Sequence, residues 1–329
     1  MQATLRSPLL LCIAAAMVKP ASALPPAPKP QMSVESTYTV GYHDWQGLPE
    51  FSVFANGTTI VNTTLEPSLS YNTMKPSVAK SLKVTPLTQT VAFTFLHNHF
   101  TASGAANVNL GIGNGGVLPV NVGLLNIMAS LSPAMAHRPD APAIWLGYPF
   151  LKRFQVRFNP SNHLIEFIPG SHKTKLKPGA VIVKFAGTGA APAVNVTVPG
   201  SPPFTAVVSV TSPVTILPPE VAAKLAGTSP MQIPVRLPDG TETHVEGIKV
   251  SSLSVGRAKV DGMQVLGAEP ANKSATVPTA VLGMDFLQHF RFTIDFVGKR
   301  LVLEPLDHEV AKPQAKTQPA DAHDGFNPR

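Results

Sequence analysis

The sequence predicts an all-β protein made of two related halves. Pro (34) and Gly (24) are abundant among the 329 residues. They separate short apolar runs rich in Val, Phe and Thr, which is typical of strands. The sequence IWLGYPFLKRF at residues 144–154 returns as AVLGMDFLQHF at residues 280–290, and each copy precedes a Phe-rich, hairpin-like segment. We therefore expect a duplicated β fold.

An earlier pair of segments supports the duplication. LEPSLS at residues 65–70 precedes PSVA at residues 76–79, and VSVTSP at residues 208–213 precedes PEVA at residues 219–222. Both pairs are offset by about 140 positions, which indicates one duplicated domain and not a short-period solenoid. The 44% hydrophobic content is sufficient for two lobes with cores of their own.

Residues 1–23 have the pattern of a cleavable export signal. Arg6 provides the positive start, residues 9–18 form an apolar core too short to span a bilayer, and residues 21–23 are small. We therefore expect the mature protein to be secreted or periplasmic. The single cysteine, Cys12, lies inside this segment. The mature chain is thus expected to have no disulfide, so that packing must stabilise it.

Composition divides the rest of the chain into a linker, two lobes and a tail. Residues 24–36 form a Pro-rich linker, residues 37–170 the predicted first lobe and residues 171–306 the predicted second lobe. The second lobe begins with a basic joint at residues 172–179. Residues 307–329 are polar and have too few apolar side chains to fold, so we expect a disordered tail.

Turn residues predict two hairpins and two short helices. Asn56-Gly57 predicts a hairpin between residues 51–55 and 58–61, and residues 238–240 (PDG) are expected to take the same role in the second lobe. Residues 219–227 begin with Pro and end with Gly, which is typical of a short helix. Residues 76–82 are its first-lobe counterpart.

These features together resemble the pepsin and retropepsin superfamily of aspartic proteases. Each half has an apolar strand, a tight loop with Ser or Thr, a short helix, a hairpin, and then two apolar residues and Gly before a Phe-rich hairpin. The segments WLGYPFL and VLGMDFL look like the bacterial periplasmic members in particular. The resemblance implies a bilobal acid-protease-like β-barrel fold, in which the strands that contain Gly147 and Gly283 support the catalytic loops from behind.

The resemblance places the catalytic loops where this sequence departs from the family. The family has Asp-Thr/Ser-Gly in each lobe, whereas this sequence has Glu66-Pro67-Ser68 and Ser209-Val210-Thr211, and it contains no Asp-Thr-Gly or Asp-Ser-Gly triplet. The family mechanism needs two carboxylates that share one proton, and Ser209 cannot provide one. Because Pro67 has no N–H and Val210 has no hydroxyl, we expect the hydrogen bonds between the two loops to be absent.

Glu66 has two interpretations. As a lone carboxyl at the floor of a cleft, it would have its pKa raised by burial. As a solvated loop residue it would be unremarkable, and this is the more common situation because carboxylates are seldom buried unpaired. Ser68, Tyr71 and Thr211 are candidate cleft residues beside it.

We therefore expect a non-catalytic, protease-like protein, a pseudoprotease that binds an extended peptide or similar ligand between its lobes. One alternative is an active aspartic-type endopeptidase with an atypical site, in which Glu66 works with a carboxylate such as Asp285. Another is an envelope-associated structural scaffold. The sequence does not specify the oligomeric state.

Other motifs predict no metal and no cofactor. His97 and His99 share one face of a strand, but a third ligand is not evident. The glycine-rich residues 111–116 match no phosphate-binding motif and fit a hairpin tip that could be the first-lobe flap. The net charge of +7 is scattered, which favours weak association with an anionic envelope surface and argues against nucleic acid.

Overall fold

We describe the protein from a computed structural model. The structure describes residues 36–45, 47–95, 98–113, 116–131, 138, 140–187, 191–226, 230–236, 242–267 and 280–306. The predicted signal with Cys12, the linker up to residue 35, the turn at residues 238–240 and the tail lie outside these residues. Within the described part, no helix combines the length and the apolar character needed to cross a membrane.

The first half contains twelve described strands and three α-helices. The strands are β1 (Tyr38–Gly41), β2 (His43–Trp45), β3 (Leu48–Ala55), β4 (Thr59–Leu65), β5 (Thr73–Met74), β6 (Val91–Phe95), β7 (Asn98–Ala102), β8 (Ala105–Ile112), β9 (Gly116–Leu124), β10 (Ile144–Leu146), β11 (Phe154–Asn159) and β12 (Leu164–Pro169). The helices are α1 (Pro76–Ser81), α2 (Ile127–Leu131) and α3 (Tyr148–Leu151), and a 3₁₀ turn spans Pro160–Asn162.

The second half contains twelve described strands and two α-helices. The strands are β13 (Val181–Lys184), β14 (Ala193–Thr197), β15 (Phe204–Val208), β16 (Ile216–Leu217), β17 (Pro230–Arg236), β18 (Glu242–Lys249), β19 (Ser252–Val255), β20 (Ala258–Asp261), β21 (Gln264–Gly267), β22 (Val281–Leu282), β23 (Phe290–Asp295) and β24 (Arg300–Pro305). The helices are α4 (Pro219–Ala226) and α5 (Met284–Leu287).

Each half forms a sheet of its own, and a third sheet joins them. The first-half sheet has the order β2-β3-β4-β10-β5-β9-β8 and closes through a β3–β8 pairing. The second-half sheet has the order β17-β18-β21-β16-β22-β15-β14-β19-β20. The joining sheet has the order β1-β12-β11-β23-β24-β13. The hairpin strands of each half lie at its centre, and β1 and β13 lie at its two edges. The predicted all-β, bilobal fold is confirmed.

The two repeated Phe-rich hairpins meet at the centre of the joining sheet. β11 and β23 are antiparallel, with Val156 opposite Ile294 and Phe158 opposite Phe292. The rings of Phe158 and Phe292 stack with centroids 4.7 Å apart. Aromatic contact of this kind adds to the apolar burial and fixes the register between the two halves.

The Asn56-Gly57 hairpin forms as predicted, but its second-half counterpart was assigned wrongly. Asn56 and Gly57 have φ values of 49° and 82°, and with Thr58 they form a three-residue turn, because Ala55 at the end of β3 pairs with Thr59 at the start of β4. β4 leads into Glu66, and the strand that leads into Ser209 is β15, which pairs with β14. The described strands before and after these residues, β17 and β18, pair with each other and follow α4, so they correspond to β6–β7. Turn residues alone do not show this order.

The expectation that residues 111–116 form the flap is also wrong. The described residues of this segment, Gly113 after β8 and Gly116 at the start of β9, lie against β1: a Cβ on Gly113 would be 2.7 Å from the carbonyl oxygen of Thr39, and one on Gly116 would collide with the Tyr38 ring. The hairpin beside the Glu66 loop is β6–β7, because Thr94 O accepts from the Ser70 N–H at 2.9 Å and Thr94 N–H donates to Ser70 Oγ at 2.8 Å. Its apolar side chains pack into the first lobe, with Phe95 edge-on to Trp145.

The two predicted helices are present as α1 and α4. α2, α3 and α5 were not predicted, because four or five residues are too few to show a helical period. α3 and α5 begin directly after Gly147 and Gly283, so these short turns belong to the repeated motif itself.

Candidate functional site

Equivalent strands hold the two loops that contain Glu66 and Ser209. β10 runs parallel to β4, and its Leu146 carbonyl accepts the Glu66 N–H at 2.9 Å. β22 runs parallel to β15, and its Leu282 carbonyl accepts the Ser209 N–H at 3.1 Å. Each loop therefore begins where a strand, β4 or β15, ends beside its parallel neighbour. The backbone hydrogen bond to that neighbour fixes the direction of the first loop side chain.

The repeated glycines allow close contact between each loop and the chain behind it. A Cβ on Gly147 would collide with the carbonyl oxygen of Leu69, and a Cβ on Gly283 would lie 2.7 Å from the carbonyl oxygen of Val214. The residues after the glycines donate backbone hydrogen bonds to the loops, from Tyr148 to Leu69 at 2.7 Å and from Met284 to Ser212 at 2.8 Å. The glycines thus lie where the resemblance implied loop support.

Asn72 and Thr215 hold the same glycines from the loop side, and neither residue was predicted from the sequence. Gly147 N–H donates to Asn72 Oδ1 at 2.9 Å, and Gly283 N–H donates to Thr215 Oγ1 at 3.1 Å. Each residue lies six positions after Glu66 or Ser209, so the internal repeat contained a signal that could have identified them.

Glu66 and Ser209 meet between the two halves. Ser209 Oγ donates to Glu66 Oε2 at 2.8 Å, and Thr211 Oγ1 donates to the same oxygen at 2.6 Å. The Ser68 N–H donates to Glu66 Oε1 at 2.8 Å, and a longer contact of 3.3 Å joins the Thr211 N–H to Oε2. Glu66 and Ser209 are both 0% exposed. The carboxyl is therefore enclosed by donors from both loops.

Two sequence-based expectations are corrected by this arrangement. Glu66 is buried and is not a solvated loop residue, because its partners compensate for the loss of water. Hydrogen bonds between the two loops are present, although Pro67 and Val210 cannot make those of the family. The glutamate side chain itself crosses to the other loop, where it meets Ser209 and Thr211.

The electrostatics of the floor depend on one ionisable group. Burial raises the pKa of the Glu66 carboxyl, and the hydrogen bonds from Ser68, Thr211 and Ser209 oppose that rise. A carboxyl beside a serine hydroxyl can in principle activate it as a nucleophile. Here the hydroxyl of Ser209 is enclosed with the carboxyl, and a substrate carbonyl has no access to it in this conformation.

The remaining predicted cleft residues surround this floor. Ser68 and Thr211 are buried, at 4% and 9% exposure. Tyr71 is partly exposed, packs against the apolar cluster beneath the β6–β7 hairpin, and has a pKa raised by burial. Tyr71 is therefore the predicted cleft residue with the most accessible side chain.

Asp285 does not join Glu66. Its carboxyl accepts the Thr215 N–H at 2.8 Å, the Thr215 hydroxyl at 2.6 Å and the Phe286 N–H at 2.8 Å. Burial raises the pKa of Asp285, and these hydrogen bonds oppose the rise. Asp285 thus fixes the chain after the Ser209 loop, and it is not placed to share a proton with Glu66.

One histidine of the predicted pair lies within the described residues. His97 lies outside the described residues, and His99 is exposed on β7. Across the described ranges, His, Cys, Asp and Glu side chains form no group of three or more that could hold a metal ion.

Comparisons with known proteins identify the fold. No protein-family model matches this sequence, and no curated protein sequence matches it. The structure is similar to the aspartic proteinase from Irpex lacteus, with a TM-score of 0.54, 13% identity, and coverage of 84% of this chain and 99% of that one. It is also similar to Basic 7S globulin from soybean, with a TM-score of 0.52, 10% identity, and coverage of 82% and 94%. The chain has the bilobal fold of pepsin-like aspartic proteinases.

Proposed function

We propose that this protein is an exported, non-catalytic relative of the aspartic proteinases that binds an extended polypeptide between its lobes. In this proposal, Glu66 and Ser209 occupy the positions of the two catalytic aspartates. The distal segments that contain Gly147 and Gly283 favour the bacterial periplasmic type, and the pattern of residues 1–23 favours export. The net charge of +7 supports weak attraction to an anionic envelope surface.

One observation carries the non-catalytic part of the proposal: both oxygens of the Glu66 carboxyl accept hydrogen bonds from neutral groups, Oε2 from the hydroxyls of Ser209 and Thr211 and Oε1 from the Ser68 N–H. Acid proteolysis needs two carboxyls, one acting as a base towards water and the other as an acid towards the scissile carbonyl. No second carboxyl contacts Glu66 within the described part of the chain, and both of its oxygens already accept hydrogen bonds. A water held between two carboxylates therefore has no equivalent place here.

Free strand edges support the binding part of the proposal. β6 and β7 form a separate two-stranded sheet beside the Glu66 loop, and the outer edge of β7 pairs with no other described strand. β17 is the edge strand of the second-half sheet and belongs to the corresponding hairpin. An extended polypeptide that adds to such an edge uses main-chain hydrogen bonds, which need no catalytic group.

The test combines cleavage and binding. Unfolded casein and an array of extended peptides are incubated with the wild type and with Glu66→Gln between pH 3 and pH 7. We expect no cleavage above the Glu66→Gln background. We also expect peptide binding that protects amides of β7 or β17 from hydrogen exchange.

The two alternatives give different results in the same test. Cleavage that disappears in Glu66→Gln would establish the endopeptidase. Absence of binding to every peptide would contradict the proposal and favour the scaffold. Binding without protection at either edge would contradict the location proposed here.

A further inference from the structure

A cavity of about 370 Å³ opens on the second half, and its lining includes neither Glu66 nor Ser209. The side chains that matter for its chemistry are Val214, Ile233, Met263, Asp261, Asp285 and His289. This volume lies within the range of about 300–1,000 Å³ that is usual for small-molecule sites.

One part of the cavity is apolar. Ile233 and Met263 are each 6% exposed, and Val260 is 9% exposed, so these side chains belong to the core of the second half. Val214 adds a further apolar side chain from the chain after the Ser209 loop. An alkyl chain of three or four carbons would therefore find a fixed surface here.

The other part of the cavity carries two carboxyls, Asp285 and Asp261, and one imidazole, His289, which lies near enough to Asp285 to oppose the rise in the pKa of that carboxyl. The Asp285 carboxyl accepts hydrogen bonds from Thr215 and Phe286, all from neutral donors. Within the described residues, no Lys or Arg forms an ion pair with Asp285. Among the residues that the structure describes, Asp261 forms an ion pair with Lys259 at 2.8 Å, and both side chains are exposed, so that pair is weak and readily exchanged.

We propose that this cavity binds an amphipathic organic cation, either an alkylguanidinium or an alkylammonium group. The alkyl chain packs against Val214, Ile233 and Met263, and the charged end lies between Asp285 and Asp261. Arg and Lys side chains have this construction, so the cation is either a free amine or guanidine or a basic side chain of a bound polypeptide. Binding of the free cation does not depend on the function proposed above.

The first experiment uses n-butylguanidinium and the uncharged isostere n-butylurea with the full-length protein at pH 8 and low salt. Binding is followed by amide chemical shifts. We expect a Kd of about 1 mM for the cation, with shifts centred on Gly262, Met263 and Ile233, and binding of butylurea weaker by at least tenfold. Equal affinity of the two probes, or shifts centred elsewhere, would overturn the proposal.

Variants provide the second readout. We expect Asp285→Asn to raise the Kd by tenfold or more and Asp261→Asn to raise it about threefold, because the exposed carboxylate is better screened. Asp261 is an exposed residue at the rim of the cavity, so Asp261→Asn should retain the fold. If Asp285→Asn is unstable, the Kd of Asp261→Asn tests the proposal. Glu246→Gln, an exposed change outside the lining, is the matched control. An unchanged Kd in Asp261→Asn and Asp285→Asn would contradict the proposal.

A peptide pair separates the two sources of the cation. Ala-Arg-Ala and its citrulline counterpart differ in charge but hardly in shape. Binding of the arginine peptide alone, at the same amides, would identify the ligand as a basic side chain. Binding of butylguanidinium without either peptide would identify a free cation.

Discussion

The Glu66→Ala substitution tests whether the buried carboxyl holds the two halves together. It removes the acceptor for the N–H of Ser68 and for the hydroxyls of Ser209 and Thr211. The Ser68 N–H is fixed by the backbone and cannot turn to another acceptor. The two hydroxyls lie 3.4 Å apart and can turn towards each other, so part of their loss is recovered.

The expected cost follows from these partners. A buried donor without an acceptor costs about 1–3 kcal/mol, and one net hydroxyl bond adds about 1 kcal/mol. Relief from burying a carboxyl acts in the opposite direction. The two costs sum to about 2–4 kcal/mol, and after this relief we expect Glu66→Ala to lower the free energy of unfolding by about 1–3 kcal/mol near pH 4.5.

The pH dependence has a definite sign. The pKa of Glu66 is raised in the folded state, so the folded protein holds this proton more tightly than the unfolded chain. The stability linked to that proton is fully present below the ordinary pKa of a glutamate and is lost as pH rises through the folded-state pKa. Glu66→Ala lacks this dependence, so its deficit relative to the wild type should decrease from pH 4.5 to pH 8.

Urea unfolding at pH 4.5, 6 and 8 measures these differences. Fluorescence of the buried Trp45 and Trp145 reports the transition. Glu246→Ala, which removes an exposed carboxyl from β18, is the control and should change stability by less than about 0.5 kcal/mol. A Glu66→Ala protein as stable as the wild type at every pH, or a deficit that grows with pH, would show that the buried carboxyl does not stabilise the folded protein.

Three further predictions concern neighbouring features. Ser209→Asp places a second carboxyl beside Glu66, and repulsion of about 4 kcal/mol should make stability fall more steeply than in the wild type between pH 4 and pH 7; equal slopes in urea unfolding would contradict this. Burial raises the pKa of Glu50 to about 7, so the stability of the wild type should fall by up to about 3 kcal/mol as pH rises from about 4.5 to 7. Thermal unfolding of Glu50→Gln should not show this fall in stability with pH. Gly147→Ala forces a Cβ into a backbone carbonyl and should cost about 2–3 kcal/mol in urea unfolding, while Gly41→Ala, with no atom within 4 Å of the added Cβ, should cost less than half as much.

Much of the fold was visible in the sequence because its signals are local or repeated. The Asn56-Gly57 turn fixes its hairpin through two residues with positive φ, and Pro and Gly bound the helix over residues 219–227. The repeated segments that contain Gly147 and Gly283 indicated two equivalent halves. The wrong assignments, at residues 111–116 and 238–240, concern which hairpin lies beside which loop. That depends on sheet order and not on turn chemistry.

The candidate site was predicted in part. Counting from the repeated helices placed Glu66 and Ser209 at equivalent positions, and the structure brings their side chains to 2.8 Å. Asn72 and Thr215 were missed, because a single Asn or Thr carries no signal until its position in the repeat is compared. The burial of Glu66 was underestimated, because two of the side-chain donors that compensate for it, Ser209 and Thr211, come from a loop more than 140 residues away.

Residue types and their spacing were sufficient to predict the duplication and the all-β character, and they show that no Asp-Thr-Gly or Asp-Ser-Gly triplet is present. The three-dimensional arrangement was needed to show that Glu66 is enclosed, that it joins the two halves, and that Asp285 lines a separate cavity. Burial and hydrogen bonding of these groups depend on segments that are distant in the chain. Their energies exist only after the joining sheet has brought both loops together.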